Sequence, residues 1–263
     1  MFRGLLYRKI QKYLRKFGID ITISHHPIVK RSMHGSKFDE YYLRKIVRIL
    51  SKVTNIVPNV MIEVGANLGQ DSNFLSQSWN LKSENVIVIE PISEYVKLIR
   101  DKYDFVVIEG AVSNYEGKSI INLQNPIEVN SGTASLLKHP LNDRFNEQIY
   151  VYRLDSILAM QNVVEVDFLK IDVEGLAWEV IDSLGVMIEN VKAIQIETEQ
   201  IPIWDESTPE EVVFNYLRSK NFVLIDYVIG ADGIQGDSIW VQKNFMKRLI
   251  YSNEEGRYIN FLN

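Results

Sequence analysis

Three acid-bearing segments carry the chemistry this sequence offers. Glu63-Val64-Gly65-Ala66-Asn67-Leu68-Gly69 closes a short apolar run and leads into a helical pattern. Glu90, followed by Pro91, closes a second apolar run twenty-one residues after Gly69. Asp167-Phe168-Leu169-Lys170-Ile171-Asp172-Val173-Glu174-Gly175 forms the third segment. In a strand–turn–helix unit, glycines let the backbone turn sharply and let a ligand approach with no Cβ in the way. A carboxylate closing the next strand lies at the crevice and can accept both hydroxyls of a ribose. Alternation along a strand puts Lys170 and Asp172 on one face. A lysine inside a central strand is costly unless paired, so Lys170 is expected to meet a carboxylate on the ligand side.

The glycine spacing narrows the ligand. G-x-x-x-G lacks the middle glycine of the nicotinamide and flavin turn, and no Lys-Ser/Thr follows as in a phosphate loop. An acid two residues before the first glycine suits a cationic ligand better than a pyrophosphate. S-adenosylmethionine (SAM) joins a sulfonium, an ammonium group and an adenosine, and Glu63 could hold its amino-acid end directly or through water. Glu174 also has a purely structural explanation, since an acid is favoured at a helix start.

The elements that must position these groups follow from periodicity. Strands are expected at 59–64, 85–90, 105–109, 167–172, 192–197, 222–229 and 237–242, and helices at 69–79, 93–103, 174–184 and 208–219. Val86-Ile87-Val88-Ile89 is apolar on both faces, as a central parallel strand requires. The alternation predicts an α/β fold: a doubly wound, mostly parallel seven-stranded sheet, Rossmann-like, with an antiparallel last hairpin. Residues 112–153 break the rhythm, with strand-like pieces near 119–124 and 149–154, and are read as an insert on the substrate side. The expected organisation is a basic helical N-terminal extension (1–58), the main domain (59–243) and a C-terminal tail (244–263).

Composition limits the alternatives. The absence of cysteine excludes disulfides, thiolate metal sites and cysteine nucleophiles, and three of four histidines precede residue 35. A net charge of −5 divides into +9 over residues 1–48 and −14 over the rest. Residues 1–17 and 38–53 show helical spacing, and the first, with Arg and Lys between Phe and Leu, could lie peripherally on an anionic membrane. The expected setting is cytoplasmic, with contact to the inner face of a membrane as an option. Nucleic acid is a poor partner for an acidic body; a homo-oligomer is left open.

Several motifs occur in order: Glu63 to Gly69, Glu90-Pro91, Gly110-Ala111-Val112-Ser113, Ser131-Gly132-Thr133-Ala134-Ser135-Leu136, Arg153-Leu154-Asp155-Ser156-Ile157 and Lys170-Ile171-Asp172-Val173-Glu174-Gly175. With them the chain resembles the FkbM-type family of SAM-dependent methyltransferases of class I over about residues 59–242. The resemblance implies methylation of a hydroxyl of a saccharide or other small metabolite. It implies that Glu63, Gly65, Asn67 and Gly69 form the cofactor turn and that Glu90 binds the ribose. Gly110 and Ala111 would sit near the adenine, and Asp172 would face the transferred methyl or the acceptor. Most families have Asp where this chain has Glu63.

Asp172 is the first choice of base and His139, in the insert, the second. Glu197 and Glu199 could join Asp172 around Mg²⁺, though no metal is expected. Among the aromatic side chains that could stack on a sugar, Trp204 is preferred over Trp178, Trp240 and Tyr227. The competing readings are a nucleic-acid methyltransferase using the basic arm and a non-catalytic, membrane-associated binding module of the same fold.

Overall fold

The computed structural model describes residues 37–123, 134–138, 145–200, 204, 206–229 and 233–247. The expected helix at 1–17 lies outside them. The first element is helix α1 (Lys37–Val53), whose Tyr42, Leu43, Ile46, Ile49, Leu50 and Val53 recur at spacings of three and four and are buried together. Their partners are Met61, Phe168, Ala193, Ile239 and Val241 on one face of the main sheet. Segment 37–53 therefore shares the core of the domain that follows, and Met246, from beyond residue 243, joins the same cluster.

The main sheet contains β1 (Met61–Val64), β2 (Val86–Glu90), β3 (Val106–Glu109), β7 (Phe168–Ile171), β8 (Ala193–Glu199), β9 (Phe222–Ile229) and β10 (Gln235–Gln242). Their order is 3-2-1-7-8-10-9. Strands β3, β2, β1, β7 and β8 pair in parallel, and β10 runs antiparallel to both β8 and β9. Every residue of β1, β2 and β7 is buried, which is why these strands read as continuous apolar runs broken only by Glu63, Glu90 and Lys170. Helices α2 (Gln70–Trp79) and α3 (Ser93–Lys102) follow β1 and β2. Across the sheet lie α5 (Ala177–Asp182) and α6 (Glu210–Ser219), with α4 (Leu154–Met160), a helix the periodicity did not reveal.

The chain leaves β1 in one direction along the sheet and returns at β7 to continue in the other. At that reversal the chain leaves β1 and β7 toward opposite faces of the sheet, which opens a crevice in sheets of this kind. The helix expected at 174–184 begins only at Ala177, because Gly175 turns with φ +80° against Trp204. A second sheet, beginning one residue before the expected insert, has β4 (Ala111–Val112), β6 (Phe145–Tyr152) and β5 (Gly117–Leu123) in that order. It packs Ile121, Leu123, Ile149 and Val151 against Ile92 and Tyr95 at the start of α3, roofing the crevice. Among the described residues no helix is long and apolar enough to cross a membrane.

Candidate functional site

A cavity of about 720 Å³ lies over the carboxyl ends of β1, β2, β7 and β8. Its lining includes Gly65, Asn67, Glu90, Gly110 and Ala111 at one end and Asp172, Glu174 and Glu197 at the other. Glu63, Gly65, Asn67, Glu90, Gly110, Ala111, Asp172 and Glu197 lie on it, and Glu199 and the four aromatic candidates do not; Gly69 stands at the start of α2, and His139 is outside the described residues.

The turn after β1 is shaped by backbone contacts. Gly65 has φ +83°, and a Cβ there would stand 2.0 Å from the carbonyl oxygen of Asp172. The close approach that requires glycine is thus between the turn and the end of β7, rather than to a ligand alone. Asn67 also adopts positive φ, 50°, a conformation that asparagine tolerates better than most residues. Its N–H points at Glu90, and its side-chain Oδ1 is buried without a hydrogen-bond partner among the described residues.

Glu90 caps β2 and is nearly inaccessible. One carboxylate oxygen accepts the N–H of Asn67 at 2.8 Å, and the other accepts that of Ile92 at 3.0 Å. Burial pushes its pKa up to about 8, against the pull of the two amides. Each oxygen keeps acceptor capacity for a further donor, since a carboxylate offers about four lone-pair sites.

Lys170 meets the carboxylates that its position demanded. It pairs in register with Glu63, and its Nζ lies 3.0 Å from Glu63, 2.7 Å from Asp172 and 3.2 Å from Asp71 on the first turn of α2. Burial opposes the charge on Lys170, but the three acids outweigh it and hold the ammonium's pKa well above that of a free lysine. Glu63 is spent on this arrangement: its other oxygen accepts both the N–H and the hydroxyl of Ser72. Burial raises the Glu63 pKa, and Lys170 partly offsets that effect.

Beyond Lys170 the cavity is acidic. Asp172 accepts a hydrogen bond from Lys170 at 2.7 Å, and Glu197, which follows the Ile171–Ile196 pair on β8, stands beside it on the cavity wall. Glu174 accepts the Gln235 amide at 3.1 Å. Burial, followed by repulsion from Asp172, pushes the pKa values of Glu174 and Glu197 upward. Among the described residues no group of three His, Asp or Glu side chains could hold a metal. The cation amid these acids is Lys170.

Several expectations about the acceptor side change. Trp204 is buried, and its ring fills the space where Gly175 would carry a Cβ, so it props the turn rather than offering a platform. Trp240 is fully buried, Trp178 packs edge-on against Tyr216, and the Tyr227 hydroxyl is bonded to Glu210 and Gln200. The wall contributed by Glu40 and Leu43 of α1 went unread, because that segment looked like part of a basic arm. Its signal was the apolar spacing itself, which continues from Tyr42 through Val53. From the insert, Ser135 lines the cavity and donates its hydroxyl to the carbonyl of Glu174 at 2.6 Å.

Residues 63–224 match the methyltransferase FkbM domain. No curated protein matches the chain. Among solved structures, an FkbM methyltransferase from Methylobacillus flagellatus aligns at 13% identity and TM-score 0.47, covering 70% of this chain and 44% of that one. The present chain thus spans less than half of that relative. An O-methyltransferase from Bacillus cereus, solved in complex with SAH, aligns at 14% identity and TM-score 0.45, covering 89% and 97%. The magnesium protoporphyrin IX methyltransferase from Synechocystis, with bound SAM, aligns at 8% identity and TM-score 0.43, covering 80% and 86%. By the match over residues 63–224, the chain belongs to the FkbM-domain family of methyltransferases.

Proposed function

We propose that the protein is a SAM-dependent O-methyltransferase acting on a hydroxyl of a saccharide or another small metabolite. The observation that carries this reading is Glu90: a buried carboxylate at the tip of β2, oriented by two backbone amides, with acceptor capacity left on each oxygen. That geometry suits the paired hydroxyls of a ribose. The orphaned Oδ1 of Asn67 offers an acceptor in the same turn, and 720 Å³ lies within the usual range for a ligand site, roughly 300–1,000 Å³.

When bound, SAM supplies an electrophilic methyl group on a sulfonium. The chain's own residues do the rest. Glu90 and the turn at Gly65 to Asn67 fix the adenosine end, and Gly110 and Ala111 line the wall beside it. Asp172, held by Lys170, accepts the proton of the hydroxyl acceptor. Positioning is the larger contribution, about 7–11 kcal/mol. A base adds about 10²–10⁴-fold, which matters for a hydroxyl because it is poorly acidic. The acids gathered at the tips of β7 and β8 favour a proton-bearing acceptor oxygen for this reason.

Isothermal titration with SAM and SAH tests the reading. Both should bind the wild type, and Glu90→Ala should weaken both by about 10–100-fold, the loss of one or two charge-assisted hydrogen bonds. Absence of binding by either ligand to the wild type would remove the proposal. Mass spectrometry of a panel of glycosides incubated with enzyme and SAM then seeks the methylated product.

A further inference from the structure

Ile171 pairs with Ile196, so Asp172 and Glu197 follow side by side at the ends of β7 and β8 on the cavity wall, and two adjacent carboxyl groups hold one proton between them more readily than both ionise. Asp172 is already the acceptor for Lys170 at 2.7 Å, which favours its ionised form, so Glu197 is the member that carries the proton. The other groups around Glu197 agree. Asp237 stands opposite it in register on β10, Glu174 follows β7, and Tyr42 approaches from α1. None of these is a cation, and burial adds to their effect. Lys170 is the one positive charge among the described residues lining the cavity, and three carboxylates share it.

Resting on the reading above, we propose that the Asp172–Glu197 pair is a proton exchanger matched to the charge of the cofactor's sulfur. A sulfonium entering the acidic end of the cavity displaces the shared proton to solvent. In the transfer step a bond forms between the acceptor oxygen and the methyl carbon, the sulfur–methyl bond breaks, and its electron pair stays on sulfur, which becomes neutral. The hydroxyl proton passes to Asp172 and is shared again with Glu197. The cavity thus has the same net charge before and after the step, and no ion is left uncompensated within it. Glu197 acts through Asp172 and is a positioning residue.

Proton linkage reads this directly. Titrating SAM and SAH into the full chain in two buffers of different ionisation enthalpy gives the protons released by each. Glu63, Glu90 and Glu174 also titrate high; protons released on binding the parts common to both ligands cancel in the difference, and Glu174, which stands near the pair, is told apart from it by the Glu197→Gln comparison. Near pH 7 SAM should release about 0.5–1 proton more than SAH. Glu197→Gln, which keeps the shape and removes the titration, should abolish that difference. Equal release with the two ligands, or a difference unchanged in Glu197→Gln, overturns the inference while leaving the cofactor reading intact. No binding of either ligand overturns both. Should Glu197→Gln not fold, the wild-type comparison of SAM with SAH decides alone.

Discussion

The α-carbon of Gly65 faces the carbonyl oxygen of Asp172 so closely that a Cβ would lie 2.0 Å from it. Both partners are backbone, so neither can swing aside. Gly65→Ala must separate the β1–α2 turn from β7, and it must also place alanine at φ +83°. A loss of about 3 kcal/mol or more is expected, read as a lower urea midpoint. An unchanged midpoint would show that the two loops part freely.

Glu90 makes stability depend on pH with a definite sign. Its pKa is about 8 when folded and near 4.5 when unfolded. Between these values the native state holds a proton that the unfolded state has lost, so stability falls as pH rises through that window. The ligand-free protein should therefore be more stable near pH 5.5 than near pH 8.5. Glu90→Gln should remove about 1–3 kcal/mol of that difference. Urea titrations of both forms at the two pH values check it, and a wild type that gains stability with pH refutes it.

Lys170 makes the opposite case, a buried charge whose removal strands others. Lys170→Met leaves Glu63 and Asp71 without their cation and should cost about 3–5 kcal/mol. Adding Glu63→Gln should recover a large part, because the stranded charge goes with it. The folded pKa of Lys170 is raised, so its contribution is complete at neutral pH and disappears only in strongly alkaline solution. Glu63 titrates at about 7 and higher once Lys170 is gone, so the cost of Lys170→Met should grow as pH rises from about 6 to 9. Non-additive urea midpoints for the single and double variants are the expected signature.

The parallel strands were legible because burial on both faces forces unbroken apolar runs, and Glu63, Glu90 and Lys170 stood out as interruptions of them. Asp172 could be placed at the sheet's edge by counting along β7. What periodicity could not show was pairing across strands. Nothing in a one-dimensional pattern says that Glu197 on β8 stands beside Asp172, or that Glu63 pairs with Lys170. Trp204 was misjudged because loop aromatics look available until the glycine beneath them is known. Helix α4 escaped because its seven residues are too few to establish a period.

Helix α1 yields two predictions of opposite sign. Ile46 is fully buried against the sheet, so Ile46→Ala should cost about 2–5 kcal/mol. One turn earlier, Tyr42 buries its hydroxyl without a hydrogen-bond partner among the described residues, near Asp237 and Asp226. A buried donor left unmade carries a penalty of about 1–3 kcal/mol, and Tyr42→Phe removes that hydroxyl while keeping the ring in the core. Tyr42→Phe should therefore leave stability unchanged or raise it by about 1 kcal/mol. Thermal melts of the two variants separate the effects, since α1 is held on the sheet by its apolar contacts and by the Lys45–Asp226 ion pair, not by the Tyr42 hydroxyl. A destabilising Tyr42→Phe would mean that the hydroxyl bonds one of the neighbouring aspartates in solution, adding a second polar tie from α1 to that of Lys45 on Asp226.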